Sequence, residues 1–399
     1  MHNTDQHSRP RRWRRLLARG SAALVAVVTG VVAMISGAGP AAAAAPTWWQ
    51  IGTGHAFTCG IQAGGSLWCW GINDHGNLGV GDTDRRDRPT RVGTSYAWVQ
   101  LTVNTYSVCA TNTSGRAYCW GSNYNGTLGV NSSAVWVTTP TELKGGISWD
   151  VLSMGSEHTC GIANHALYCW GANDWGQLGH GNENNIVTTP TRVGTDSDWL
   201  SVSAGSMHTC ALKLTGARYC WGNNNHGRLG LGDTEQRNSP TPAGPADGVW
   251  SSIKGGSAHT CAINRAHELY CWGTNYDGEL GVGDREDRSL PTRVGSQANW
   301  ASVSPSPNFS SHRTCGLKTD GTRFCWGSNY AGQLGLNDTV IRVSPTQWRN
   351  EAKWASVAPG TYHSCGIRVD STLYCWGRNS GGELGLGDLT DRWLPTQVV

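Results

Sequence analysis

The chain is short of the side chains that fill most cores of its size: its 399 residues include three Phe and four Met. Beyond residue 45 no stretch carries apolar residues at the spacing of an amphipathic helix, which excludes a helical domain. There is no Cys-x-x-Cys, so a thioredoxin-like redox pair is excluded. No closely spaced Cys or His pair offers the usual zinc ligands. No run of Lys and Arg follows residue 45, which removes the electrostatic footprint of a nucleic-acid binder. No nucleophile with a neighbouring base and no paired acids stand out, so nothing points to a catalytic centre or a cofactor. What is present instead is 54 Gly, 21 Trp and 14 Cys. Such a bias points to repeats.

Residues 1–45 read as a signal peptide. Arg9, Arg11, Arg12, Arg14, Arg15 and Arg19 form a basic start, and an apolar stretch runs from about Ser21 to Ala38. "GPAAAAAP" then supplies small residues for cleavage near Ala43 or Ala45. The rival reading is an uncleaved anchor, which Gly30, Gly37, Gly39 and Pro40 interrupt. The leader holds six Arg and one Asp, a net of +5, so the formal +3 of the whole chain leaves about −2 for the remainder. The expectation is a secreted, extracellular protein of bacterial type, spanning 46–399, with an ordinary soluble surface, no stable membrane insertion after cleavage and a monomeric state.

A unit of about fifty residues recurs seven times. "CWG" starts at Cys69, Cys119, Cys169, Cys220, Cys271, Cys325 and Cys375, in steps of 50, 50, 51, 51, 54 and 50. Each triplet opens the phrase W-G-x-N-x-x-G-x-L-G, followed by a Pro-Thr and, in all but the last unit, by a Trp. In one unit, "PTRV" (Pro190–Val193) suits a strand that starts at a proline. "WLSVSAG" alternates large and small residues, as a second strand would. "HTCALKL" and "RYCWG" form a hairpin around a Gly-containing turn. Four short strands per unit give one blade, and seven units give an all-β, seven-bladed β-propeller. The first unit starts at Trp48 without a preceding Pro-Thr strand, and "LPTQVV" ends the chain. The expectation is therefore that the C-terminal strand completes the first blade and closes the ring, leaving no open sheet edge.

"SAGSMHTCAL" and "YCWGNNNHGRLGLGD" resemble the repeat of the regulator-of-chromosome-condensation family. The resemblance covers nearly all of 46–399, and Kelch and WD signatures are absent from the corresponding places. It implies a seven-bladed propeller. Nuclear members act as exchange factors for a small GTPase. A secreted bacterial member inhibits a β-lactamase through aromatic residues in loops similar to the W-G-x-N-x-x-G segment. This chain departs from that inhibitor in its longer repeats and its paired cysteines, so the inhibitor's target does not carry over.

Each unit has two cysteines ten residues apart, or nine in the third. If Cys59 faces Cys69, a three-residue loop joins the strands. If Cys160 faces Cys169, Asn164-His165 becomes a two-residue turn. Both are ordinary hairpin loops. Opposed residues lie within disulfide reach, and an exported chain meets oxidising conditions. Seven disulfides are expected: Cys59–Cys69, Cys109–Cys119, Cys160–Cys169, Cys210–Cys220, Cys261–Cys271, Cys315–Cys325 and Cys365–Cys375. His158, His208, His259 and His363 each stand two residues before the first cysteine. Phe57, Ser107 and Arg313 take that place elsewhere, which argues against a metal site. Asp82, Asp233, Asp284, Asp338 and Asp388 each precede an Arg by four residues, as a loop-stabilising ion pair would.

Function is expected where the units differ. Between Asn and Gly of W-G-x-N-x-x-G, six units place an aromatic or His: His75, Tyr124, Trp175, His226, Tyr276 and Tyr330. Equivalent blades would set these on one face as a protein-recognition ring. The competing reading tucks some of them against neighbouring blades. "SPSPNFSSHR" (Ser304–Arg313) carries a four-residue insertion with Phe309 and is a second candidate. The sequence thus suggests a non-enzymatic module that binds an unidentified protein. Exchange-factor-like regulation, or activity on or binding of glycans, are the alternatives.

Overall fold

The computed structural model describes residues 46–94, 97–244, 248–308, 311–349 and 352–399. Residues 1–45, expected to be a signal peptide, and Phe309 lie outside the described residues. Within them, 28 strands form seven antiparallel sheets of four strands. In the first blade Trp48–Thr53, Phe57–Gln62, Leu67–Gly71 and Arg86–Arg91 are neighbours in that order. The first strands of all blades line a central channel of about 450 Å³, to which Thr53, Val103, Met154, Ala204, Lys254, Ser304 and Val357 contribute. The fourth strands form the outer rim, where their Pro residues cost no ladder bond. The second and third strands are almost wholly buried. The architecture is the expected seven-bladed β-propeller.

The phase of the blade differs from the sequence reading, and so does the closure. The Pro-Thr strand is the last strand of its own unit. Arg392–Gln397 pairs with Leu373–Gly377 of the seventh blade, with Cys375 opposite Thr396 and Gly377 opposite Arg392. The C-terminal strand therefore completes the seventh blade, not the first, whose four strands all come from residues 48–91. The cause lies in the phrase between the third and fourth strands. Its Asn turns the chain back: Asn73 Oδ1 accepts the Leu78 N–H at 2.9 Å and Asn73 Nδ2 donates to the Asp82 carbonyl at 2.9 Å. The same Asn-to-Leu bond recurs in every blade. The loop reaches over the next blade and returns to pair with its own hairpin. In the seventh blade it reaches the first, so the ring closes there by the contact used at every other junction.

That contact is built around tryptophan. The third-strand Trp of each blade donates from Nε1 to a carbonyl in the preceding blade's loop. Trp221 meets Gln177 at 2.9 Å, Trp272 meets Arg228 at 2.9 Å, and at the seam Trp70 meets Glu383 at 3.0 Å. The loop's last Gly has positive φ, and at Gly79 a Cβ would sit 2.6 Å from Trp120 Nε1. The apolar cores lie at these junctions. Each holds one blade's cysteine pair with the Trp that opens the next blade and that blade's third-strand Trp, as Cys59 and Cys69 do with Trp98 and Trp120. Seven such clusters circle the ring, the one at the seam joining Cys365 and Cys375 to Trp48 and Trp70. Tryptophan thus fills the space that Phe and Met leave.

All seven expected disulfides are formed, with Cα atoms 4.1 Å apart. Asn164 and His165 make the two-residue turn of the third blade, both at positive φ. The five Asp–Arg pairs are present, for example Arg86 Nη2 to Asp82 Oδ2 at 2.6 Å. The repeated histidines are junction residues. His158, His208, His259 and His363 each place Nε2 2.9 Å from a hydroxyl of the next blade: Thr209, Thr260, Thr314 and Thr58. Each of those threonines donates its own proton to a loop carbonyl, such as Thr209 to Gln177 at 2.8 Å. The histidine must therefore be the donor, neutral and protonated at Nε2. At two of the three places where the histidine is replaced its partner changes too, while at the third Thr159 is kept and Ser107 bonds the Ser122 carbonyl instead. Phe57 shares a core with Val108, and Arg313 donates to Ser364 at 3.3 Å.

Two outcomes follow from this burial. Reductant at neutral pH should leave all seven disulfides closed until the chain unfolds, because their sulfurs are cut off from solvent; alkylation followed by mass measurement reads this. Burial also lowers His158, His259 and His363 from 6.5 to about 3. The unfolded chain binds those protons near pH 6.5 and the folded chain does not, so stability falls as pH drops from 6.5 towards 3. Each histidine should cost about 2 kcal/mol between pH 7 and pH 5. Glu383, raised to about 7 by burial, acts in the opposite sense and offsets about one of them. The unfolding midpoint should fall over this range, and less steeply in the double variant His158→Phe, Thr209→Val.

Candidate functional site

The loops joining first to second strands and those joining third to fourth strands lie at the same end of each antiparallel sheet, so together they build one face. The residues expected to form an equivalent ring occupy two different places there. Directly after the Asn, Tyr124, Tyr276 and Tyr330 point outward, 64%, 71% and 65% exposed. Directly before the Gly, His75 and Trp175 are half-buried. His226 shares the second position but is exposed, with Nδ1 2.6 Å from Asp287 Oδ2. The two positions differ because the second residue turns towards the neighbouring loop while the first stands above it.

The structure gathers these residues into clusters, not a ring. In the fifth and sixth blades, the Tyr330 hydroxyl donates to Asp277 Oδ1 at 3.1 Å. The Tyr276 ring lies 6.3 Å from that of His312. His312 Nδ1 is 3.0 Å from Glu279 Oε1, and this bond raises the His312 pKa. Trp175 and His226 join neither of the clusters described here.

The larger cluster spans the seventh, first and second blades. Rings follow one another from Tyr362 to His55 (5.7 Å), Tyr106 (5.6 Å), His75 (4.6 Å) and Trp136 (5.9 Å). They floor a trough of about 550 Å³, with Tyr124, Val135 and Glu157 on its walls. Trp136 is 52% exposed and Tyr106 is 40% exposed. Desolvation lowers the pKa of both His55 and His75. Among the described residues no group of three or more His, Cys, Asp or Glu could hold a metal ion.

Residues 64–110, 164–212, 215–263, 267–311, 320–367 and 370–399 match the regulator of chromosome condensation (RCC1) repeat. The chain belongs to the RCC1-repeat family. It is 32% identical over 136 residues to the ultraviolet-B receptor UVR8 of Arabidopsis thaliana, covering 34% of this chain and 30% of the receptor. The chain thus aligns with less than a third of that relative's length. Among solved structures, Prp20p of Saccharomyces cerevisiae has a TM-score of 0.74 at 22% identity, covering 88% of this chain and 87% of that one. Human WBSCR16 has a TM-score of 0.73 at 19% identity, covering 84% and 94%. Both likenesses concern the fold.

On this RCC1-repeat propeller, sequence reasoning found His75 and Tyr124 of the trough but missed His55, Tyr106, Trp136, Glu157 and Tyr362. Two signals were there to be read. Three residues before the first cysteine the units also disagree, with Ala56, Tyr106, Glu157, Met207, Ala258, His312 and Tyr362. The second and third units lack the Asp–Arg pair, and in the second Trp136 stands beside that gap. In an NMR titration His55 and His75 should titrate below 6.5 and His312 above it; equal values for the three would contradict this geometry.

Proposed function

We propose that this chain is an exported, disulfide-stapled binding module that recognises a protein partner through the face carrying the aromatic trough. The observation that carries the reading is the trough itself: five successive rings beside exposed Tyr124. Exposed aromatic clusters with polar rims serve as recognition sites, since Tyr and Trp bring large contact area at little entropic cost. Seven buried disulfides and the leader-like residues 1–45 support export to an oxidising compartment. That placement weighs against exchange-factor activity, which needs a cytosolic GTPase.

Glycan binding is the second reading, favoured by the exposed ring of Trp136 among the hydroxyl groups of Ser107, Ser122 and Tyr124. Affinity capture from culture medium and cell surfaces with purified residues 46–399 separates the two. A protein should be retained by the unaltered chain and lost from the Tyr106→Ala, Trp136→Ala double variant, with the melting profile unchanged. The Trp175→Ala variant should retain it. Loss of glycan-array binding in the trough variant, with no protein captured, would move the assignment to the second reading.

A further inference from the structure

The trough is polar along its length. At one end Glu157 stands exposed on the third blade, its Oε2 accepting Asn125 Nδ2 at 3.1 Å. Beyond the other end the Arg378 guanidinium lies 5.4 Å over the Tyr362 ring. Glu157 is the one carboxylate among the lining residues, and no Lys or Arg lines the trough. His55 and His75 are held towards the neutral form by desolvation. Asp74 lies close enough to His75, and Arg378 to His55, to act on their charge.

These features select among the side chains a partner could offer. An anion would meet a carboxylate and the electron-rich faces of aromatic rings, both repulsive. A purely apolar side chain would fill the space beside the rings but would desolvate Glu157 without pairing it. A cation on a long apolar stem satisfies both parts. Its methylenes cover ring surface, and its head gains from the rings and from the carboxylate. Arg378, at the far end, directs that head towards Glu157.

We propose that the trough seats an arginine or lysine side chain of the protein partner, with its stem along Tyr106 and Trp136 and its cation paired with Glu157. The inference rests on the protein-binding reading above and names the chemistry of the anchor. Arginine is the better fit of the two, because its planar guanidinium stacks on rings and forks to a carboxylate.

The test uses a Gly-Gly-Arg-Gly-Gly peptide and its citrulline counterpart, which has nearly the same shape without the charge. Ligand-observed NMR with the mature chain should give saturation transfer to the arginine methylenes and little to citrulline. Glu157→Gln should weaken arginine binding about tenfold, and Trp136→Ala should abolish the transfer. Equal binding of the two peptides, no binding of either, or indifference to Glu157→Gln overturns the proposal. The two readings fail separately. Partner capture that survives Glu157→Gln but not the Tyr106→Ala, Trp136→Ala variant removes the cationic anchor and keeps the face. Capture that survives both removes the face.

Discussion

The ring depends on one bond made seven times. The indole N–H of each third-strand Trp donates across a blade junction to a carbonyl of the preceding loop, at 2.9 to 3.1 Å. These indoles are fully buried, and a buried donor left without a partner is costly. The bond therefore holds the loop against its neighbour and fixes where the chain turns back. The return strand, the positive-φ Gly under the indole and the cysteine pair packed beside the two Trp all follow from that placement. Because the last loop makes the same bond to Trp70, the ring needs no strand exchanged between its ends.

The polar groups around this bond vary as sets. Four junctions use a neutral His that donates to a Thr hydroxyl, which donates in turn to the same carbonyl that receives the indole. One junction replaces both side chains by Phe57 and Val108. Another uses Arg313, fully buried, whose Nη atoms reach the carbonyls of Thr361 and Gly360 as well as Ser364. At these six junctions the two facing side chains are either both polar or both apolar, which keeps a buried polar group from meeting an apolar partner, and at the seventh Ser107 bonds the Ser122 carbonyl and Thr159 the Thr127 carbonyl. A single unit read alone suggests a metal-binding histidine; seven units read together show a structural donor.

The recognition face follows different rules. The expected ring assumed that equivalent positions in the repeat carry equivalent side chains to one circle. Yet His75 and Trp175 sit one residue later than Tyr124, Tyr276 and Tyr330, and one residue changes the direction of a side chain in a tight loop. Half of the trough comes from first-to-second-strand loops, through His55, Tyr106 and Tyr362. These lie some twenty residues before the variable pair in sequence but next to it in space, because both loop sets emerge at the same end of the sheet.

The sequence by itself determined the repeat, the blade count, the hairpin register and all seven cysteine pairs. Each of these rests on local spacing, which strand geometry translates directly into contact. The tertiary structure alone decided the phase of the blade, the manner of closure and the composition of the trough. A Pro-Thr strand pairs equally well on paper with the hairpin before it or the one after it. The choice is made by a loop that must first dock on the neighbouring blade. The trough likewise joins side chains of four blades, and their meeting depends on how the blades are set around the axis.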